Sequence, residues 1–265
     1  MNVPLVWIAV IMSVIAVILP TRAQTFTYVA VDGRSTRMLV GGSGPATVVF
    51  EHGLGGPLET WGKVQPAVSR FARTVTYDRA GAGRSDDGPR PRDGRRIAAE
   101  LHAALRLANI PPPYLLVGAS LGGPFVRIFA GMYPDTVLGL VLVDPTPDTE
   151  QRDKAPGPPE LESLAATLEQ ARASRLPAGI PVFLIDAISP LEVPFATEAI
   201  RTLRLNSRRE IEAESRAYRN WVDSIPGARL IVTERSGHNV AQEQPELVVE
   251  TIRQVVEWTR QRPER

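Results

Sequence analysis

The 265-residue chain has no cysteine, which excludes disulfides, thiolate zinc sites and a cysteine nucleophile. Histidine is nearly as scarce. His52, His102 and His238 are the only three, so a metal site built on histidine alone would need every one. An excess of either charge is also lacking. Lys plus Arg number 30 and Asp plus Glu 29, a net charge of +1, with no long run of one sign. The electrostatic footprint of a nucleic-acid-binding protein is therefore missing. Lysine is confined to Lys63 and Lys154; beside 24 prolines, that bias reflects base composition more than function. What is present is ordinary for a folded chain. Hydrophobic residues are 43% and charged residues 22%, a globular and not a disordered balance. The length suits one large α/β domain.

The longest apolar run is residues 3–19, interrupted by Pro4 and Ser13 and followed by Thr21-Arg22-Ala23. An apolar core ahead of a small-residue site is the pattern of a secretory signal peptide, cleaved here after Ala23. The competing reading is an uncleaved anchor, because the run nearly reaches the roughly 20 residues that cross a bilayer. Arg22 on its C-terminal side disfavours an N-in anchor. The expectation is export to the periplasm or the medium, with membrane contact only if residues 3–19 are retained. N-terminal sequencing decides, since a mature start at Gln24 rules out the anchor. A cysteine-free chain is compatible with an oxidising compartment.

From residue 24 onward, short β-branched runs alternate with amphipathic stretches. The pattern predicts a hairpin of strands at 26–31 and 37–40 turning at Asp32-Gly33. Further strands are predicted at 47–50, 74–77, 114–117, 137–143, 182–185 and 230–233. Helices are predicted at 58–72, 95–108, 121–133, 160–174, 195–222 and 244–260. Strands separated by helices make parallel β-α-β units, with both sheet faces covered. Residues 145–180 break the rhythm with six prolines, and read either as a crossover helix with long loops or as a small cap.

Three motifs carry chemistry. Gly118-Ala119-Ser120-Leu121-Gly122 lies where a buried strand meets a helix, the setting of a nucleophile elbow. Glycines two positions either side let the chain turn sharply, and the helix start offers N–H groups and a positive dipole end. A glycine-rich turn with a serine N-cap would look similar. His52-Gly53-Leu54-Gly55-Gly56 follows a strand and lets backbone approach a substrate. The Leu54 and Leu121 amides would form an oxyanion hole, worth roughly 3–4 kcal/mol per donor in acyl transfer. His52 itself reads as a structural residue of that turn, and His102, inside an amphipathic helix, as surface or core filling. Ser236-Gly237-His238-Asn239 follows the last strand, at the sheet edge where parallel α/β folds place ligands. A neutral imidazole there is the natural base for a hydroxyl nucleophile.

Together with Trp61, the stretch 77–86 (YDRAGAGRSD), the stretch 140–145 (LVLVDP) and the QP at 244–245, these motifs resemble the α/β-hydrolase superfamily, in particular its esterase, lipase and haloperoxidase-like branch. They span about 50 to 245, in the family's order. The resemblance implies the α/β-hydrolase fold, with a mostly parallel sheet and a cap-like insertion at about 145–180. It also implies a triad of Ser120, His238 and an acid. In such proteins the 78–85 stretch shapes a loop beside the elbow. The acid usually lies about four residues beyond Asp186, where this chain has Pro190. The resemblance favours Asp144, at the end of the strand beside the nucleophile strand, where some lipases of this fold place their acid; Asp186 at the end of the next strand is the alternative, with Asp148 or Glu192 behind them. Any of these could serve if it reached the histidine Nδ1 proton.

The implied function is a serine hydrolase of small-molecule carboxylic esters, needing no cofactor and no metal. Amidase, lactonase, C–C hydrolase and perhydrolase chemistry share the same machinery. A non-catalytic ligand sensor is the reading from another class, motivated by the missing acid at 190. Epoxide hydrolases and dehalogenases of this fold are disfavoured, because they carry aspartate at the elbow.

Overall fold

Alternation within the strands decides how this chain layers. A computed structural model describes residues 24–149, 157–189 and 208–261; residues 1–23, which hold the expected signal segment, residues 150–156, Pro190, Glu192 and the first part of the helix expected at 195–222 lie outside the described residues. Eight strands form one sheet: β1 (Thr25–Val31), β2 (Arg34–Gly41), β3 (Thr47–Glu51), β4 (Arg73–Tyr77), β5 (Tyr114–Ala119), β6 (Val137–Val143), β7 (Val182–Ala187) and β8 (Arg229–Thr233). Their order is β1-β2-β4-β3-β5-β6-β7-β8. The β1–β2 hairpin and the β2–β4 pair are antiparallel, and every later pair is parallel. The hairpin turns at Asp32 (φ 48°) and Gly33 (φ 78°), the two left-handed residues a tight turn of this hand requires.

The central strands are buried and mostly apolar along their length, yet their side chains divide by parity. Leu116, Leu140, Leu142, Val182 and Leu184 join one core, while Leu115, Val117, Val141, Val143, Phe183 and Ile185 join the other. A period of two sends neighbours to opposite faces, and burial of both faces is what a parallel sheet demands. Helices α2 (Gly94–Leu107), α3 (Gly122–Met132), α5 (Leu164–Ala173) and α6 (Arg208–Asp223) cover the first core through Leu101, Phe129, Ala171 and Tyr218. On the other face, α1 (Gln65–Val68), α7 (Val240–Glu243) and α8 (Pro245–Arg260) contribute Val68, Val240, Val248 and Ile252. Each such side chain adds roughly 1.5–3 kcal/mol when fully buried.

Two predicted helices come out broken, those expected at 58–72 and 160–174. The stretch expected at 58–72 becomes a 3₁₀ turn (Leu58–Trp61) and the four-residue α1. Pro66 lies in the first turn of α1 and has no N–H to continue a helix arriving from Leu58. The closing helix expected at 244–260 is intact as α8, opened by Pro245 in its first turn, with α7 a separate short turn before it. The helix expected at 160–174 divides into α4 (Pro159–Glu162) and α5 at Ser163. Among the described residues, no helix is long and apolar enough to cross a membrane.

Candidate active site

The C-terminal ends of β5, β6 and β8 meet at one place, and each delivers a polar side chain there. Ser120 follows β5 with φ at +51°, a left-handed conformation that a residue with a Cβ rarely adopts. The surrounding chain enforces it. A Cβ on Gly118 would come within 2.5 Å of the Gly122 carbonyl oxygen, and one on Gly122 within 2.4 Å of the Glu51 oxygen. The Ser120 backbone is fully engaged. Its N–H donates to Val143 O at 3.2 Å, and its carbonyl accepts from Gly123 N and Thr146 N, both at 2.9 Å. The strand–helix turn therefore fixes where Oγ points.

Asp144 ends β6, and it too has a positive φ, +43°. Its N–H donates to Ile185 O at 2.8 Å, and its Oδ1 accepts from Ala187 N at 3.2 Å. The other oxygen, Oδ2, lies 2.6 Å from His238 Nδ1. His238 Nε2 lies 2.9 Å from Ser120 Oγ. Asp144 is 1% exposed and His238 25%, so the acid is dry while the imidazole edge reaches the pocket. The loop carrying His238 is braced on both sides. Gly237 N donates to Glu243 Oε2 at 2.6 Å, and Thr233 Oγ1 donates to Gln244 Oε1 at 2.6 Å.

The remaining candidates lie elsewhere. Asp186 is buried at the end of β7, where Ser215 Oγ of α6 donates to its Oδ2 at 2.6 Å. Asp148 forms a two-pronged pair with Arg127, at 2.6 and 3.0 Å. His102 stacks on Tyr133 with ring centroids 3.9 Å apart. With Asp144 against His238 Nδ1, the absence of a carboxylate at 190 no longer argues for a sensor.

A cleft of about 230 Å³ opens above Ser120 and His238. Leu54 and Leu121, the two residues expected to supply oxyanion amides, are both among its lining. Its walls include Pro145, Pro147, Leu161 and Leu164 from the 145–180 stretch, with Tyr218 of α6. The Tyr218 hydroxyl donates to Pro145 O, tying that wall to the helix. Nothing in the sequence pattern marked Tyr218 or Glu243, since both lie on helical stretches without a motif.

Beneath the His52–Gly56 turn is a buried ionic cluster. The Arg79 guanidinium donates to Glu51 Oε1 at 2.5 Å, Glu160 Oε1 at 2.8 Å, and the carbonyls of His52 and Gly53 at 2.6 Å each. Tyr77 OH donates to the other oxygen of Glu51. Burial pushes the Glu51 carboxyl up despite Arg79. Burial is the largest influence on Glu160 and raises it, but the Arg79 charge together with the hydrogen bonds from Arg79 and the Gly55 N–H outweighs it and holds the carboxyl below the usual range. One cation between two carboxylates favours this split, with Glu160 the firmer anion.

His52 is fully buried. Its Nδ1 lies 2.9 Å from Gly53 O, and its Nε2 has no partner among the described residues. Burial, then the nearby Arg79 charge, drops its pKa well below 6.5. The folded protein thus keeps it neutral, while the unfolded chain binds a proton below about pH 6.5. Stability from this group is present above that pH and is lost as pH falls. Urea unfolding at pH 7 and pH 5 checks this: wild type should lose stability between the two, and His52→Gln should lose less. An unchanged difference between the two pH values contradicts the assignment.

Comparison with known proteins agrees with this fold. A family model described as alpha/beta hydrolase fold matches residues 46–239. The chain is 37% identical over 105 residues to pyrrolizixenacetamide deacetylase of Xenorhabdus hominickii, covering 39% of each chain. It is 34% identical over 101 residues to the (lyso)-N-acylphosphatidylethanolamine lipase of Bos taurus, covering 37% of this chain and 30% of that one. These matches span about two fifths or less of the relatives' own lengths. Among solved structures, a thermophilic esterase from Thermogutta terrifontis superimposes with a TM-score of 0.62 at 18% identity, over 89% of this chain and 99% of that one.

Proposed function

Since the chain belongs to the alpha/beta hydrolase fold family, we propose that it is a serine hydrolase of small carboxylic esters, with Ser120, His238 and Asp144 as its triad. The observation that carries this is the continuous hydrogen-bonded line from Asp144 Oδ2 through His238 to Ser120 Oγ, at 2.6 and 2.9 Å. Ser120 Oγ attacks the ester carbonyl carbon as its proton passes to His238 Nε2. The carbonyl oxygen becomes an oxyanion on the Leu54 and Leu121 amides. The C–O bond to the alcohol then breaks, and His238 returns the proton to the departing oxygen. Water, giving its proton to the same nitrogen, attacks the acyl-serine; the bond to Ser120 Oγ breaks, His238 returns the proton to that oxygen, and the acid is freed. Asp144 holds the imidazole in the tautomer with hydrogen on Nδ1 and stabilises the imidazolium.

The cleft sets a size. At about 230 Å³ the cleft is small and has room for a short acyl chain. The expected result with p-nitrophenyl esters from acetate to palmitate is an optimum near butyrate or hexanoate, with palmitate far slower. No turnover of any ester by folded protein overturns the reading. Amide deacylation is the second reading, favoured by the similarity to a named deacetylase; hydrolysis of p-nitroacetanilide above the ester rates would select it.

A further inference from the structure

The 78–85 stretch was expected only to shape a loop, yet its Arg79 joins a helix of the 145–180 insertion to the turn that carries Leu54. Glu160 lies on α4, 81 residues from Arg79 in sequence, and is 4% exposed. Its two oxygens do different work. Oε1 accepts from Arg79 Nε at 2.8 Å, and Oε2 accepts from the Gly55 backbone N–H at 3.1 Å. Arg79 in turn holds the His52 and Gly53 carbonyls at 2.6 Å. Leu54 is thus flanked by a fixed carbonyl on one side and a fixed amide on the other.

Packing reinforces the link. Gly55 has φ at +59°, and a Cβ there would meet Pro158 Cγ at 2.9 Å. Leu54 and Leu161 pack on the same small core of Ile97, Leu121, Phe125, Leu164 and Leu168. Arg79 also lies over the Phe125 ring of α3, 5.0 Å from its centroid. One buried ionic unit therefore touches the helix after the nucleophile, the turn beside it and α4.

We infer that Glu160 is a positioning residue, which sets the Leu54 amide through Gly55 and makes oxyanion binding depend on the seating of α4. This rests on the reading of Leu54 as an oxyanion donor. The dependence is electrostatic and directional. A carboxylate accepts from both Arg79 and Gly55, whereas a glutamine can turn its oxygen to only one of them and faces the other with an N–H. Glu160→Gln therefore breaks one anchor while keeping the side chain's size.

The test compares wild type with Glu160→Gln, Glu160→Ala and Glu162→Gln on p-nitrophenyl butyrate, with rates normalised to folded protein. Glu162 is on the same helix but pairs with exposed Arg90, so Glu162→Gln should match wild type. For Glu160→Gln the expected result is a kcat lowered about 10- to 100-fold, less than the 10²–10³ for deleting an oxyanion donor outright. KM should stay within about threefold, because ground-state binding is untouched. Reaction with a fluorophosphonate should slow in parallel, since an oxyanion-like oxygen enters the same hole.

Amide hydrogen exchange supplies a readout that needs no turnover. Peptides covering 53–56 should exchange faster in Glu160→Gln than in wild type. A folded Glu160→Gln with kcat within twofold of wild type and unchanged exchange at 53–56 overturns the inference. Should Glu160→Ala fail to fold, the Gln variant decides alone. Failure of the hydrolase reading looks different: wild type and Ser120→Ala would then hydrolyse the ester equally.

Discussion

Ser120→Ala will lower kcat for p-nitrophenyl butyrate by about 10⁴-fold or more while leaving the fold intact, because the nucleophile is lost and only the oxyanion hole and binding remain. The two halves of this expectation come from different atoms. The backbone of Ser120 bonds to Val143, Gly123 and Thr146, and alanine keeps all three bonds. The side chain contributes Oγ, which meets His238 Nε2. Alanine tolerates φ of +51° no better than serine, so the strain is unchanged. The check is steady-state kinetics beside urea unfolding of the same preparations. Activity within tenfold of wild type would mean that another residue attacks the substrate. Loss of activity together with loss of the folded baseline would instead assign Ser120 a structural role.

Asp144→Asn should cost about 10⁴-fold in kcat, with little change in KM. Asparagine is the same shape, and its oxygen can still accept from Ala187 N. The group facing His238 Nδ1 would then be an NH₂. That favours the tautomer with hydrogen on Nε2, which points at Ser120 Oγ and cannot take its proton. Asp186→Asn is the matched comparison. Asp186 is bonded to Ser215 on α6, so losing its charge should change kcat by less than about tenfold and act mainly on stability. The reverse ranking, with Asp186→Asn inactive and Asp144→Asn nearly wild type, would move the acid to β7 and contradict the geometry above.

Most of the strand framework was legible because burial on both faces leaves a simple mark. Runs such as Val137–Val143 are apolar throughout, and such runs bounded by glycine and proline rarely suit anything but a central strand. The elbow and the histidine loop were legible for a related reason: their chemistry needs particular residues at fixed local spacing. The choice of acid was legible only in part, since the preference for Asp144 over Asp186 came from the resemblance and not from the local residues. Asp144 and Asp186 each end a strand, and nothing within ten residues of either says which faces His238, 94 positions beyond Asp144. The positive φ at Asp144 and the Ala187 amide that grips its carboxylate are tertiary facts. The partnership of Arg79 with Glu51 and Glu160 was hidden for the same reason, since those carboxylates lie 28 and 81 residues away. The helix break at Pro66 was visible in principle, because proline favours the first turn of a helix over its interior. The hydrophobic periodicity around it masked the interruption.

The central claim is that Ser120 is a nucleophile primed by His238. Its most direct test is reaction of the folded protein with a fluorophosphonate, followed by peptide mass spectrometry. The account predicts one phosphonyl group per chain, on the peptide containing Ser120, and none on Ser120→Ala or on heat-unfolded wild type. Absence of an adduct from folded wild type, or an adduct on another residue that persists in Ser120→Ala, would contradict it.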